Sequence, residues 1–316
     1  MRLALRELRR RPGRFVVAAV ILTLITVLVV FLGGLLDGLI RNATGGLEAQ
    51  PGDVIVYAAD ADASFVRSRI TPDQRERVES LPGVAEVGGI GVVQLGARVP
   101  GAGPRELADT ALFGAELTPA GLDGLPADGE VVADSSLRHD GIEEGMTIEL
   151  GPQRTPVTVV GFVDDTNYIG QGSLWGTLAT WREVQNANRP DAFAGDGIVQ
   201  SLIVRGDGTA GPAALAAAID AELDDATETL PVAAAAERLP GLSQQRSVFN
   251  QIIGATVAIA ALVVGLFFAL LTVEKVGLFG VLKAMGTPTR SLFTGLVVQA
   301  VATAVVAGAV GTGLAL

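Results

Sequence analysis

The sequence predicts a membrane protein, with transmembrane α-helices and a large α+β extracytoplasmic domain inserted between the first and second helices. Three observations predict it. Three apolar runs carry no charge, Phe15 to Leu36, Ile252 to Val273 and Leu292 to Leu316, and they hold 22, 22 and 25 residues. Basic residues gather beside those runs, whereas the 37–247 segment holds 32 acidic against 14 basic side chains. That segment alternates strand-like and helix-like stretches, broken by Gly and Pro turns, without strict βαβ order.

Residues 1–14 carry six arginines against Glu7, and residues 274–291 carry Lys275, Lys283 and Arg290 against Glu274. The positive-inside rule places both stretches in the cytoplasm and the acidic 37–251 domain outside. Arg9-Arg10-Arg11 serves as a topology signal that also meets lipid headgroups, and it is a second candidate for contact with a partner protein. At about 1.5 Å per residue, each apolar run is long enough for a hydrocarbon core of roughly 30 Å. Backbone groups in lipid must pair internally, so helices are expected at 15–36, 252–273 and 292–316. The first run exceeds the about 7–15 residues of a signal-peptide core, and Gly33-Gly34-Leu35-Leu36-Asp37 is no small-x-small cleavage site. It is read as an uncleaved helix. Gly34-x-x-x-Gly38 near its end has the spacing of close helix packing.

The chain has no cysteine, so the outer domain must stand without disulfides, and about 210 residues suffice for a conventional core or two smaller ones. Its acidity argues against nucleic acid as a partner. Asp53 to Tyr57 reads as a first strand. A helix follows, with Thr71 as N-cap, Pro72 in its first position and Gln74 closing a capping box, and it ends near Leu81-Pro82-Gly83. Strands are expected at Val84 to Val93, Glu130 to Ala133, Thr147 to Leu150, Val157 to Val163 and Ser201 to Arg205. Pro212 to Leu223 repeats Leu215, Ile219 and Leu223 on one helical face. Asp37 to Leu47 and Arg238 to Gln251 are expected to be stalks joining the domain to the bilayer.

The 274–291 loop reads Glu274-Lys275-Val276-Gly277-Leu278-Phe279-Gly280-Val281-Leu282-Lys283-Ala284-Met285-Gly286-Thr287-Pro288-Thr289-Arg290. Gly286 suits a helix C-terminus, Thr287 an N-cap and Pro288 the first position of the next helix. A short helix stopping at Gly286 either transmits force or is simply the bend of a helical hairpin.

At this loop the sequence resembles MacB/FtsX-type ABC transporter permeases. Glu274-Lys275-Val276-Gly277-Leu278-Phe279 and Leu282-Lys283-Ala284-Met285-Gly286 are similar to the family's cytoplasmic segment, although the charge order at 274–275 departs from its usual basic-acidic pair. Ile70-Thr71-Pro72, Leu81-Pro82-Gly83-Val84, Glu130 to Asp134, Gly141 to Ile148 and Val157 to Val163 resemble successive pieces of its outer domain, with Met146 where an aspartate is usual. The resemblance implies a permease that forms a homodimer or a heterodimer with a related permease. Its 274–290 segment would dock on a separate ABC-type ATPase, which binds the ATP, so the chain itself needs no cofactor. It also implies mechanotransmission to a two-lobed outer domain that handles a lipid, lipoprotein, peptide or drug, alone or with an extracytoplasmic accessory protein. The coupling residues it singles out are Glu274, Lys275, Gly277, Leu278, Phe279, Leu282, Lys283, Ala284, Met285, Gly286 and Arg290. The family has four spans, so ending at Leu316 implies that a fourth helix is missing. The alternatives are an FtsX-like regulator of a cell-wall hydrolase and a membrane-anchored binding or sensor protein with no ATPase.

An enzyme is not expected. The two lysines, Lys275 and Lys283, do not follow a Walker A glycine pattern, and the single histidine, His139, excludes a multi-histidine zinc site. Gly172-Ser173 lacks the spacing of a nucleophile elbow. Glu143-Glu144, Asp164-Asp165 and Asp224-Asp225 read as solvated surface before they read as calcium ligands.

Overall fold

The computed structural model describes residues 12–315 except Ala102, Pro104, Phe193, Ala194, Pro240, Lys275, Thr287 and Pro288. The chain divides into two compact units, residues 39–243 and a helical unit formed by what precedes and follows them.

The first helix, α1, runs without interruption from Pro12 to Glu48, 37 residues and about 55 Å long. In the 39–243 unit it is followed by β1 (Val54–Ala58), α2 (Pro72–Glu79), β2 (Val84–Arg98), β3 (Ala108–Ala115), β4 (Glu130–Asp134), β5 (Thr147–Leu150), β6 (Thr155–Val163) and β7 (Gly172–Thr177). Then come α3 (Leu178–Asn188), β8 (Ser201–Gly206), α4 (Pro212–Glu222), β9 (Thr227–Pro231) and α5 (Val232–Glu237).

The strand order explains the architecture. The strands β9-β1-β8-β2 are neighbours in that order, all antiparallel, and α2 and α4 are the crossovers of β1–α2–β2 and β8–α4–β9. That is the split βαβ, ferredoxin-like arrangement. Between its second and third strands the chain makes a second assembly. The 15-residue β2 outruns β8, and its far half pairs with β3 from Ile90↔Ala115 to Ala97↔Ala108. Pairing then continues through β7, β4, β6 and β5 and returns to β2 at Ala97↔Leu150 and Arg98↔Glu149. The ladder closes on itself as a six-stranded barrel, so it has no free edge.

Glycines let α3 lie on this barrel. Gly91 of β2 stands opposite Gly114 of β3, and a Cβ on either would come within 2.3 and 2.2 Å of Trp181. The two bare backbones make a flat bed for the indole, which is buried. The capping box of α2 forms as its sequence predicts: Gln74 N donates to Thr71 Oγ1 at 3.3 Å and Thr71 N to Gln74 Oε1 at 2.9 Å.

Most expected strands fall within a residue or two of their observed bounds, and β5 coincides. The Val84 strand continues five residues past Val93. Sequence reasoning missed β3, β7, β9, α3 and α5. The first two are too rich in Ala, Gly and Ser to signal a strand, and they are held by pairing on both sides.

Then follow α6 (Leu242–Glu274), which belongs to the helical unit from Gln244 on, α7 (Val276–Ala284) and α8 (Thr289–Ala315). By length and composition α1 and α6 can cross a membrane, and α8 contains the apolar stretch Val301–Leu314. Large apolar side chains stand in the open along them, among them Leu24, Phe31, Leu262, Leu266 and Leu270, each more than 60% exposed. Exposure on that scale calls for a nonaqueous cover. A close helix contact lies away from the glycines singled out by spacing: a Cβ on Gly34 or Gly38 meets nothing within 4 Å. Instead, Thr303, Ala307 and Gly311 are buried at four-residue intervals. Thr23 Oγ1 donates to Ala307 O at 3.3 Å, and a Cβ on Gly311 would stand 2.7 Å from Thr26 Cβ.

Candidate functional site

The coupling segment predicted from sequence spans the end of α6, α7 and the start of α8. Glu274 is the last residue of α6, and Gly277, Leu278, Phe279, Leu282, Lys283 and Ala284 all lie on α7. Met285 and Gly286 form the turn after it, and Arg290 is in the first turn of α8. Lys275 lies outside the described residues, as do the side chains of Leu278, Phe279, Leu282 and Arg290 and the expected N-cap at Thr287-Pro288.

Gly286 has φ +90°, the left-handed conformation that ends a helix and that a side chain resists. Met285 N donates to Val281 O and Gly286 N to Lys283 O, both at 3.0 Å, closing the last turn. Lys283 sits in that turn, where a cation is favoured by the helix dipole. Val276, Val281 and Met285 are exposed, at 60, 58 and 70%.

Sequence reasoning did not find a second feature, the anchorage of the long helices in the domain. Of the segments expected to be stalks, Asp37 to Leu47 is the continuation of α1, and residues 242–251 of Arg238 to Gln251 belong to α6. Within the 39–243 unit, Leu47 of α1 and Leu242 of α6 are buried in one cluster with Ile55, Ile90, Phe113 and Trp175. Its centre is aromatic. Phe113 stacks on Trp175 with centroids 4.4 Å apart and meets Tyr168 edge-on at 5.2 Å, and Phe65 bridges Tyr57 and Tyr168. Burial raises the pKa of the Tyr168 hydroxyl well above its ordinary range. Burial does the same to Tyr57, assisted by Tyr168 and Glu228. Both therefore stay neutral at physiological pH.

The end of α1 presses on the β6–β7 loop. A Cβ on Gly45 would lie 2.3 Å from Asp165 O, and one on Gly46 would lie 2.9 Å from the Phe113 ring. Backbone bonds join the two segments: Gly46 N to Asn167 O at 2.9 Å, Ile169 N to Ala43 O at 3.0 Å, and Gly170 N to Asn42 O at 3.1 Å. The loop is held in turn by Asp134, whose buried carboxylate accepts from Ser136 N, Thr166 N and Thr166 Oγ1 at 2.8–2.9 Å. Thr166 Oγ1 also meets Ser173 Oγ at 2.6 Å. The available signal was Gly45-Gly46 inside a helical stretch, a pairing that costs helix stability unless packing requires it.

No family model matches the chain. An ABC transporter permease of Mycobacterium tuberculosis, itself uncharacterised, is 28% identical over 324 residues, covering 99% of this chain and 84% of the relative. The chain resembles ABC transporter permeases along its whole length. A further permease, from Mycobacterium bovis, is 27% identical over 98% of the chain and 83% of its own length. Among solved structures, the periplasmic region of MacB from Actinobacillus actinomycetemcomitans aligns at TM-score 0.41 and 12% identity, covering 59% of this chain and 92% of that one. The extracellular domain of the noncanonic ABC-type transporter YknZ from Gram-positive bacteria aligns at TM-score 0.38 and 12% identity, covering 56% and 98%. The resemblance to permeases rests on the sequence relatives. Among the described residues no three His, Cys, Asp or Glu side chains come together as a metal site.

Proposed function

We propose that the chain is the membrane-embedded permease subunit of an ABC transporter, coupling ATP hydrolysis by a separate ATPase to movement of its 39–243 domain outside the cytoplasm. The observation that carries the reading is similarity to permeases over 99% of the chain. Such a subunit needs a cytoplasmic handle for its ATPase. The 274–290 segment supplies one, with Val276, Val281 and Lys283 of α7 exposed and Gly286 fixing where the helix stops. The basic residues of 1–14 and 274–291 support a cytoplasmic location for both stretches, with α1, α6 and α8 as spans. The permease works as a dimer, with itself or a related copy, and its cargo is a lipid, lipoprotein, peptide or drug met outside the membrane. It binds no nucleotide itself.

The test is a pair of variants, Lys283→Glu and Gly286→Val, assayed for ATP hydrolysis in the complex isolated with its ATPase. The first reverses the charge on the exposed last turn. The second forces a β-branched residue to φ +90°, which costs about 1–3 kcal/mol and distorts the stop. Both are expected to insert normally in the membrane and to lose most permease-dependent ATP turnover. Turnover unchanged in both would remove α7 from the coupling role.

A further inference from the structure

Where the barrel closes, at the pairs Ala97↔Leu150 and Arg98↔Glu149, the end of β2 and the β5–β6 turn flank a cleft of about 390 Å³. That volume is typical of small-molecule sites, which span about 300–1,000 Å³. Arg98, Glu149 and Arg154 line it with charge, and Leu107 and Pro152 with apolar surface. The local structure holds these groups in place. Asn188, at the end of α3, grips the turn on both sides of Arg154: its Oδ1 accepts from Gln153 N at 2.9 Å and its Nδ2 donates to Thr155 Oγ1 at 3.0 Å. Gly151 N donates to Gly96 O at 3.0 Å, fastening the start of the turn to β2. Arg154 is thereby kept at φ +53°, a left-handed conformation that residues with a side chain avoid. Strain of this kind gathers at sites that hold ligands. Across the cleft, Gly96 lets Leu107 lie close to the strand, since a Cβ there would stand 3.0 Å from Leu107 Cδ1, yet Leu107 is 51% exposed.

The charge decides what the cleft suits. Arg98 Nε and Arg154 Nε both approach the same atom, Glu149 Oε2, at 4.0 and 3.9 Å. Both distances exceed hydrogen-bond length, so Glu149 makes neither of the bidentate pairs that a carboxylate forms with arginine. Among the described residues of the lining, two guanidiniums face one carboxylate, a positive excess in a segment of 32 acidic and 14 basic side chains. We propose that this cleft binds an acidic amphiphile, a carboxylate or phosphate on a short apolar body, with Arg98 and Arg154 on the oxyanion and Leu107 and Pro152 against the body. The planar fork of arginine matches both oxyanions. Reading that ligand as cargo rests on the permease reading; the binding itself does not.

The test is calorimetric titration of the full chain in phosphatidylcholine nanodiscs with octanoate, octyl phosphate, octanol and inorganic phosphate, with the heat of empty nanodiscs subtracted. Octanoate or octyl phosphate is expected to saturate one site per chain, with octanol and inorganic phosphate at least tenfold weaker; the tighter of the two acids identifies the head group. Arg98→Gln and Arg154→Gln should each weaken binding at least tenfold, through loss of a charge-assisted contact. Glu149→Gln should tighten it several-fold, because the like charge beside the oxyanion is gone. An ion-pair cluster with only a structural role would give no such tightening. No saturable binding, octanol binding as tightly as the acids, or arginine variants that bind like the parent would overturn the proposal. Should an arginine variant unfold at lower urea than the parent, Glu149→Gln decides: tighter binding upholds the site, and unchanged or weaker binding overturns it. If the acids bind to a chain that brings no ATPase with it, the permease reading has failed and the site stands; if the ATPase is present and no acid binds, the site alone has failed.

Discussion

Replacing Gly45 with alanine sets two effects of known sign against each other. In a plain helix the change stabilises by about 1 kcal/mol, because alanine has less backbone freedom to lose. At Gly45 the new Cβ would stand 2.3 Å from the carbonyl oxygen of Asp165, about 1 Å inside ordinary contact, and the obstacle is backbone, which cannot rotate aside. Overpacking of this kind costs about 1–3 kcal/mol. Relief requires moving the loop, which breaks the bonds from Gly46, Ile169 and Gly170, at about 1 kcal/mol each. The balance is a net loss of about 3–5 kcal/mol. Gly38→Ala is the control, because a Cβ there meets nothing within 4 Å and only the helix-propensity gain remains. Both tryptophans, Trp175 and Trp181, are buried in the 39–243 unit, so intrinsic fluorescence during urea unfolding of the detergent-solubilised chain reports on that unit alone. A Gly45→Ala protein as stable as the parent would refute the packing argument.

Further outcomes follow from the same structure. Phe113→Ala removes the ring between Trp175 and Tyr168 and should cost about 3–5 kcal/mol in the same urea titration. Thr71→Ala takes away half of the capping box on α2 and should cost about 1 kcal/mol, an effect that Thr71→Ser largely spares. Tyr57 and Tyr168 have raised pKa values in the folded domain, against an ordinary value of 10.0. Their contribution is complete below pH 10 and is lost as pH rises above it, because the unfolded chain releases those protons first. Stability measured between pH 9 and 11 should therefore fall above 10, with a shallower slope in Tyr168→Phe; an unaltered slope would show that this hydroxyl does not contribute.

The features that were legible in the sequence are those written in local chemistry. Thr71, Pro72 and Gln74 specify a helix start by themselves, and Gly286 specifies a helix end. The apolar runs and the alternating β-branched strands were legible for the same reason. What escaped depends on partners distant in the chain. The strand β3 is defined by its register with β2 and β7, and Gly91 and Gly114 make sense only once Trp181 lies over both. The barrel is a consequence of closure between residues 97–98 and 149–150, which no local pattern encodes. At the candidate site, the stop of α7 was readable, whereas the grip on α1 was not. Its parts, Gly45-Gly46, Asp134, Thr166 and Ile169, are spread over more than a hundred residues and share no motif.

The most direct test of the central claim is gentle purification of the tagged full-length protein from its native membrane, with the accompanying proteins identified. The account predicts an ABC-type ATPase in stoichiometric amount, lost when residues 274–290 are scrambled. A folded protein recovered without any ATPase would contradict it and would leave a membrane-anchored binding protein in its place.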